Sequence, residues 1–155
     1  MKQEEPIVTK LLIAALAIAA ALTSLNILAQ DASPVGLWKT IDDDTGKPKA
    51  LIRITENNGE LRGKIEKLFL DIGEKNPKCD KCEGAQKDQP IIGMTILSGM
   101  KQEGTEYGDG QILDPANGKV YKSKMSLADN GKKLNVRGYI GMPMLGRTQT
   151  WLREE

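Results

Sequence analysis

The sequence predicts an all-β chain, an eight-stranded antiparallel up-and-down β-barrel, and three observations predict it. Beyond residue 33, apolar residues alternate at period two, with no sustained helical periodicity. Turn signals built from Asp, Asn, Gly and Pro recur at roughly eight- to twelve-residue spacing, the rhythm of sandwiches and barrels. A tryptophan also stands in both the first and the last strand-like segment: Gly36-Leu37-Trp38 opens the series, and Trp151 sits between Arg147 and Arg153. An indole on the opening strand can plug one end of a barrel while a closing-strand guanidinium stacks on its face.

The N-terminus reads as a signal peptide, Met1–Ala29. Lys2 and Lys10 form a weak positive start diluted by Glu4 and Glu5, and an almost unbroken Leu/Ile/Ala run follows to Leu28. Ala29 supplies a small residue for cleavage. An uncleaved membrane anchor is the competing reading, since the run approaches the ~18–20 residues that span a bilayer. Thr23, Ser24 and Asn26 shorten that run, and polar Gln30-Asp31 follows at once, which favours cleavage. Residues 30–155 then form a single barrel domain, exported to the periplasm or secreted, without stable membrane insertion.

The first strand runs near Gly36–Asp42 and ends in Asp43-Asp44-Thr45-Gly46. The second covers Ala50–Glu56, with Ile52 and Ile54 on one face and Arg53 on the other. Asn57-Asn58-Gly59 suits a tight hairpin because Asn and Gly accept positive φ. The third, Glu60–Phe69, places Leu61, Gly63, Ile65 and Phe69 on one side. A loop near Asp71–Pro90 is longer than most connections in a compact domain, so it is either pinned or functional. Strands resume at Ile91–Met100, around Gly110–Leu113, and at Val120–Leu127, Leu134–Ile140 and Leu145–Arg153. Turns at Asp114–Gly118 and Asp129–Gly131 separate the last of these. Eight such strands can close and leave no exposed edge.

A net charge of +1 argues against nucleic acid, which asks for a concentrated basic face. The sequence contains no histidine. That removes Ser-His and Cys-His nucleophile pairs and the imidazole base, so the chain is expected not to be an enzyme. No cofactor and no metal site are expected. Asp42-Asp43-Asp44 lacks the spaced oxygen ligands of a calcium loop and reads as a solvated turn.

Cys79 and Cys82 in the long loop are the sharpest local signal. A disulfide is the default in an oxidising compartment. Metal binding would need further ligands, and redox chemistry a helix N-terminus behind the pair.

In the last strand Arg147, Gln149, Trp151 and Arg153 share one face. In the strand before, Asn135, Arg137 and Tyr139 alternate with Leu134, Val136 and Gly138. If the Trp151 face points inward, Arg147 and Gln149 enter the barrel, and Arg137 or Arg53 can join them. A guanidinium in a partly apolar cavity needs a partner, which a ligand carboxylate or phosphate can supply bidentately. The bland alternative points these arginines to solvent or to Glu56, Glu60 or Glu66.

The Gly-x-Trp opening and basic closing strand resemble calycin-type barrels, and the arginine arrangement resembles intracellular fatty-acid-binding barrels. PVGLWKTIDDDTGKPKALIRI, Cys79-Asp80-Lys81-Cys82, PIIGM, ILDPANGKVY and VRGYIGMPMLGRTQTW together resemble the bacterial domain-of-unknown-function family 2147 from Pro34 to Arg153. That resemblance implies a small exported barrel of lipocalin-like character and implies no activity.

The resulting expectation is a barrel that binds a small amphipathic or anionic ligand through Arg137, Tyr139, Arg147 and Gln149. Trp38 and Trp151 are structural and Cys79–Cys82 is a disulfide. The alternative is an interaction module for a cell-envelope protein partner, with a packed barrel and its function in the 71–90 loop.

Overall fold

In a computed structural model that describes residues 33–155, the period-two pattern becomes eight strands. They are β1 (Gly36–Ile41), β2 (Pro48–Asn57), β3 (Glu60–Leu68), β4 (Thr95–Glu103), β5 (Glu106–Asp114), β6 (Lys119–Ala128), β7 (Lys133–Tyr139) and β8 (Arg147–Arg153). Each pairs antiparallel with the next, and β8 returns to β1, giving the closed up-and-down barrel. The closing ladder is short, with Trp38 opposite Arg153 and Lys39 opposite Leu152. The segment read from the sequence as a signal peptide, Met1–Ala29, lies outside the described residues. Among those residues no helix is long and apolar enough to cross a membrane.

Trp38, Ile52, Ile54, Leu61, Leu97, Met100, Met125, Leu134 and Trp151 are fully buried. Burying each large apolar side chain is worth about 1.5–3 kcal/mol, so their interdigitation is what holds the barrel. Two inward-facing glycines make the room. A Cβ on Gly63 would lie 2.9 Å from Leu97 Cβ, and one on Gly110 would overlap the Met100 sulfur.

The β2–β3 register slips once, so that Ile52 faces Ile65 while Leu51 faces Lys67. The extra residue on β3 flips its alternation, as bulges do. Leu68 therefore takes the inward place opposite Ala50, and Phe69, expected on the Ile65 face, is exposed beneath the Lys67 ammonium, 4.8 Å from the ring centroid.

The long β3–β4 connection is pinned. Cys79 and Cys82 form the expected disulfide, and both are buried. Cys79 N–H donates to Gln89 O (2.9 Å), Lys81 Nζ to Ala116 O (3.1 Å) and Gln86 Nε2 to Thr95 O (3.4 Å). Ile96 and Leu113 are each one step out of phase with inward-facing Leu97 and Ile112, yet both are buried. The loop straps that outer surface. It also absorbs Ile91–Met94, expected as strand, because Ile91 N–H donates to Pro77 O (2.9 Å).

Candidate functional site

Nearest-neighbour order sorts the connections onto two ends. The lower end gathers Ser33–Val35, the β2–β3, β4–β5 and β6–β7 hairpins, and the C-terminus. The upper end gathers the β1–β2 turn, the disulfide loop, the β5–β6 turn and the β7–β8 loop.

The lower end is sealed. Trp38 Nε1–H donates to Pro34 O at 2.7 Å, and the Arg153 guanidinium lies 4.2 Å from the ring centroid. Arg153 also donates to the carbonyls of Gly131 (2.6 Å), Ser33 (2.6 Å), Val35 (3.1 Å) and Glu155 (3.2 Å). Burial pulls its pKa below the ordinary arginine value, but a guanidinium starts so high that it stays charged. Carbonyl dipoles and the indole face carry that charge, which makes this end a structural latch rather than a binding site.

The upper end differs in chemistry. Gly110, Ser123, Gly138 and Arg147 lie directly opposite one another across β5, β6, β7 and β8. This row continues the face that buries Met125, Leu134 and Trp151 below it, so it turns inward. The inward positions thus change from large and apolar to small and polar on rising toward the upper end. Ser123 is fully buried, and its Oγ has no hydrogen-bond partner among the described residues. Such a group costs free energy until something satisfies it. Half-buried Leu68, Ile112 and Tyr121 supply apolar surface at the same level.

Arg147 and Gln149 both belong to this end, but the Arg147 side chain is exposed at the mouth and not enclosed within the barrel. Gln149 Nε2 donates to Asp43 Oδ2 at 3.0 Å, and Arg147 Nη2 pairs with the same oxygen. Trp151 Nε1 reaches Gln149 Oε1 at 3.5 Å, which ties the pair to the core.

Arg137 and Tyr139 do not join them. They alternate with buried Leu134 and Val136 and therefore project outward. Arg137 donates from Nε to Pro143 O (2.6 Å), from Nη2 to Met144 O (3.2 Å) and from Nη1 to Thr148 Oγ1 (2.8 Å). It clamps the β7–β8 loop, beside an outer groove of about 190 Å³ lined also by Glu106, Lys124, Ser126 and Asn135. Arg53 is outside as well. Glu66 (3.0 Å) and Glu155 (2.9 Å) hold it, and they push its pKa above the ordinary value.

The acidic turn divides its labour. Asp42 accepts from the Thr45 hydroxyl and the Thr45 N–H, each at 2.9 Å, and these bonds hold its carboxyl below the usual carboxylate range. Asp43 turns to Arg147 instead, a role that sequence reading missed because it depends on β8 lying beside β1. Asp114 serves its own turn, accepting from Ala116 N–H and Asn117 Nδ2 at 2.9 Å. Sequence reading also missed the apolar rim: exposed Ile72, Val120, Ile140, Met142, Met144 and Leu145 all belong to this end. Among the described residues no three of His, Cys, Asp and Glu converge as a metal site.

A closed eight-stranded barrel, plugged below by a Trp–Arg stack and polar at its other end, is a lipocalin-like architecture. A solved Helicobacter pylori structure, protein HP1028, described as belonging to the lipocalin family, shares it. The TM-score is 0.69 at 20% identity, covering 80% of this chain and 84% of that one. This likeness shows the fold. The chain belongs to the bacterial family described as "Uncharacterized protein conserved in bacteria (DUF2147)", whose family model matches residues 36–153. No curated protein shows a significant sequence match.

Proposed function

We propose that this protein is an exported, non-enzymatic binder of a small amphipathic anion, held at the upper end of the barrel. The observation that carries the reading is the Arg147–Gln149 pair at the barrel mouth above an apolar core, with the unsatisfied Ser123 hydroxyl two strands away in the same row. A guanidinium and an amide N–H on one face can take two oxygens of an acid headgroup. Leu68, Ile112 and Tyr121 offer surface for a short tail. The packed interior below argues for a ligand seated near the mouth, not one threaded to the floor. Export is supported by the apolar run ending at Leu28 and by the oxidised cysteine pair. The absence of histidine from the sequence supports binding over catalysis.

Titration with decanoate, followed by tryptophan fluorescence, tests this. Arg147→Gln should weaken decanoate about two- to five-fold, the size of an exposed ion pair. Equal binding by Arg147→Gln, or no binding by the parent, rejects the site.

The exposed rim favours a second reading, in which an envelope protein docks on Ile72, Met142, Met144 and Leu145. Excising residues 71–90 would uncover Ile96 and Leu113, so Ile72→Ser with Met144→Ser is the cleaner test. A partner retained by that double variant argues against docking there.

A further inference from the structure

We infer that Asp43 is an internal competitor for the anion site, a tethered carboxylate seated where the ligand's acid group binds. The inference rests on the binding reading above and sharpens its ligand class. One Asp43 oxygen, Oδ2, takes both the Arg147 guanidinium and the Gln149 amide. These are the two donors of β8 at this end, so the carboxylate already shows what chemistry the pair accepts.

The turn that carries Asp43 is built to survive its departure. Asp42 N–H donates to Lys47 O (2.9 Å), Gly46 N–H donates to Asp42 O (2.8 Å), and the Asp42 carboxylate holds Thr45. None of those bonds uses the Asp43 side chain. Asp43 can therefore rotate off Arg147 without melting the turn. Both partners of the ion pair are substantially exposed, at 69% for the Arg147 side chain and 41% for Asp43. Exposed pairs are weak, so the competitor is displaceable rather than a permanent block.

The consequence is selectivity by charge. A carboxylate-headed amphiphile replaces what it displaces and leaves the guanidinium paired. A neutral alcohol of the same length cannot, because displacing Asp43 would leave Arg147 without an anion. The Arg147 guanidinium thus sets the preference for charged amphiphiles, and Asp43 moderates affinity only for those that take its place.

The test compares decanoate with decanol on the full-length exported protein and on Asp43→Asn, Arg147→Gln and the double variant, read by tryptophan fluorescence at low salt. Asp43→Asn should bind decanoate about two- to five-fold more tightly, the size of an exposed ion pair. Its decanol affinity should be unchanged, and the gain should vanish in the Arg147→Gln background. The gain should also shrink in 1 M salt, which screens the pair.

Four results would overturn the inference. Unchanged decanoate binding by Asp43→Asn, with Arg147→Gln still weakened, removes the competitor and leaves the binding site intact. Weaker decanoate binding by Asp43→Asn makes Asp43 a positioning partner of Arg147. Equal gains for decanoate and decanol mean that the turn has simply opened. No binding of either compound by any variant takes away the site itself, and the competitor with it. Asp43→Ala, whose short side chain cannot bond to Gln149, provides a second variant should the asparagine misfold.

Discussion

Replacing Trp38 by alanine is the sharpest test of the barrel plug. The indole is fully buried, donates to Pro34 O at 2.7 Å and supports the Arg153 guanidinium at 4.2 Å. Truncating a buried Trp costs about 3–5 kcal/mol from lost transfer and the cavity left behind. The cation–π contact adds on the order of 1–2 kcal/mol, since the guanidinium is partly desolvated. Small domains hold only about 5–15 kcal/mol, so Trp38→Ala should remove a large share of the stability. A loss of about 4 kcal/mol corresponds to a Tm lower by roughly 15 °C for a domain of this size. Urea unfolding followed by circular dichroism measures the loss, with the remaining Trp151 emission as a second probe. Trp38→Phe keeps a ring but strips the Pro34 carbonyl of its donor, so it should cost about 1–3 kcal/mol. A loss below about 1 kcal/mol for Trp38→Ala would refute the argument, because no fully buried indole under a guanidinium can be removed that cheaply.

Two other predictions test the latch and the strap. Arg153→Lys keeps the charge but cannot fork to four carbonyls while lying flat on a ring, so it should cost about 2 kcal/mol in urea unfolding; a neutral outcome would show that charge alone suffices. Gly118→Ala meets two obstacles, a φ of +74° and a Cβ that would overlap Lys81 O. It should loosen the disulfide loop and speed amide exchange at Cys79 and Asp88, whereas an unchanged exchange pattern would mean that the loop does not seat against the β5–β6 turn.

Much of the fold was legible because period-two alternation fixes which side chains share a face. Ile52 and Ile54, and Leu134 and Val136, declare the interior, and the turns at Asn58, Asp129 and Gly118 need residues tolerant of positive φ. The alternation that made Leu134 and Val136 core already placed Arg137 on the far side. Arg137 is out of phase with Leu134 and Val136 while Arg147 is in phase with Trp151, so they could not both enter the barrel. What alternation cannot reveal is a slip within a strand. The extra residue on β3 reversed the fates of Leu68 and Phe69, and no residue type there announces it. Nor can local pattern see across the closure. Asp43 and Arg147 are 104 residues apart and meet only because β8 comes round to β1. The exposed methionines of the β7–β8 loop lie outside any strand, where periodicity says nothing.

The short ladder between β1 and β8 has a mechanical consequence. Backbone pairing there spans Trp38–Lys39 and Leu152–Arg153, near the lower end, while every neighbouring pair of strands is paired over a longer stretch. Toward the top, the wall between the first and last strands is bridged by the Asp43 side chain reaching Arg147 and Gln149. The cylinder is therefore stitched like a coat buttoned only at the hem, and above Lys39 the seam between β1 and β8 is the line along which the wall has the fewest backbone bonds to break.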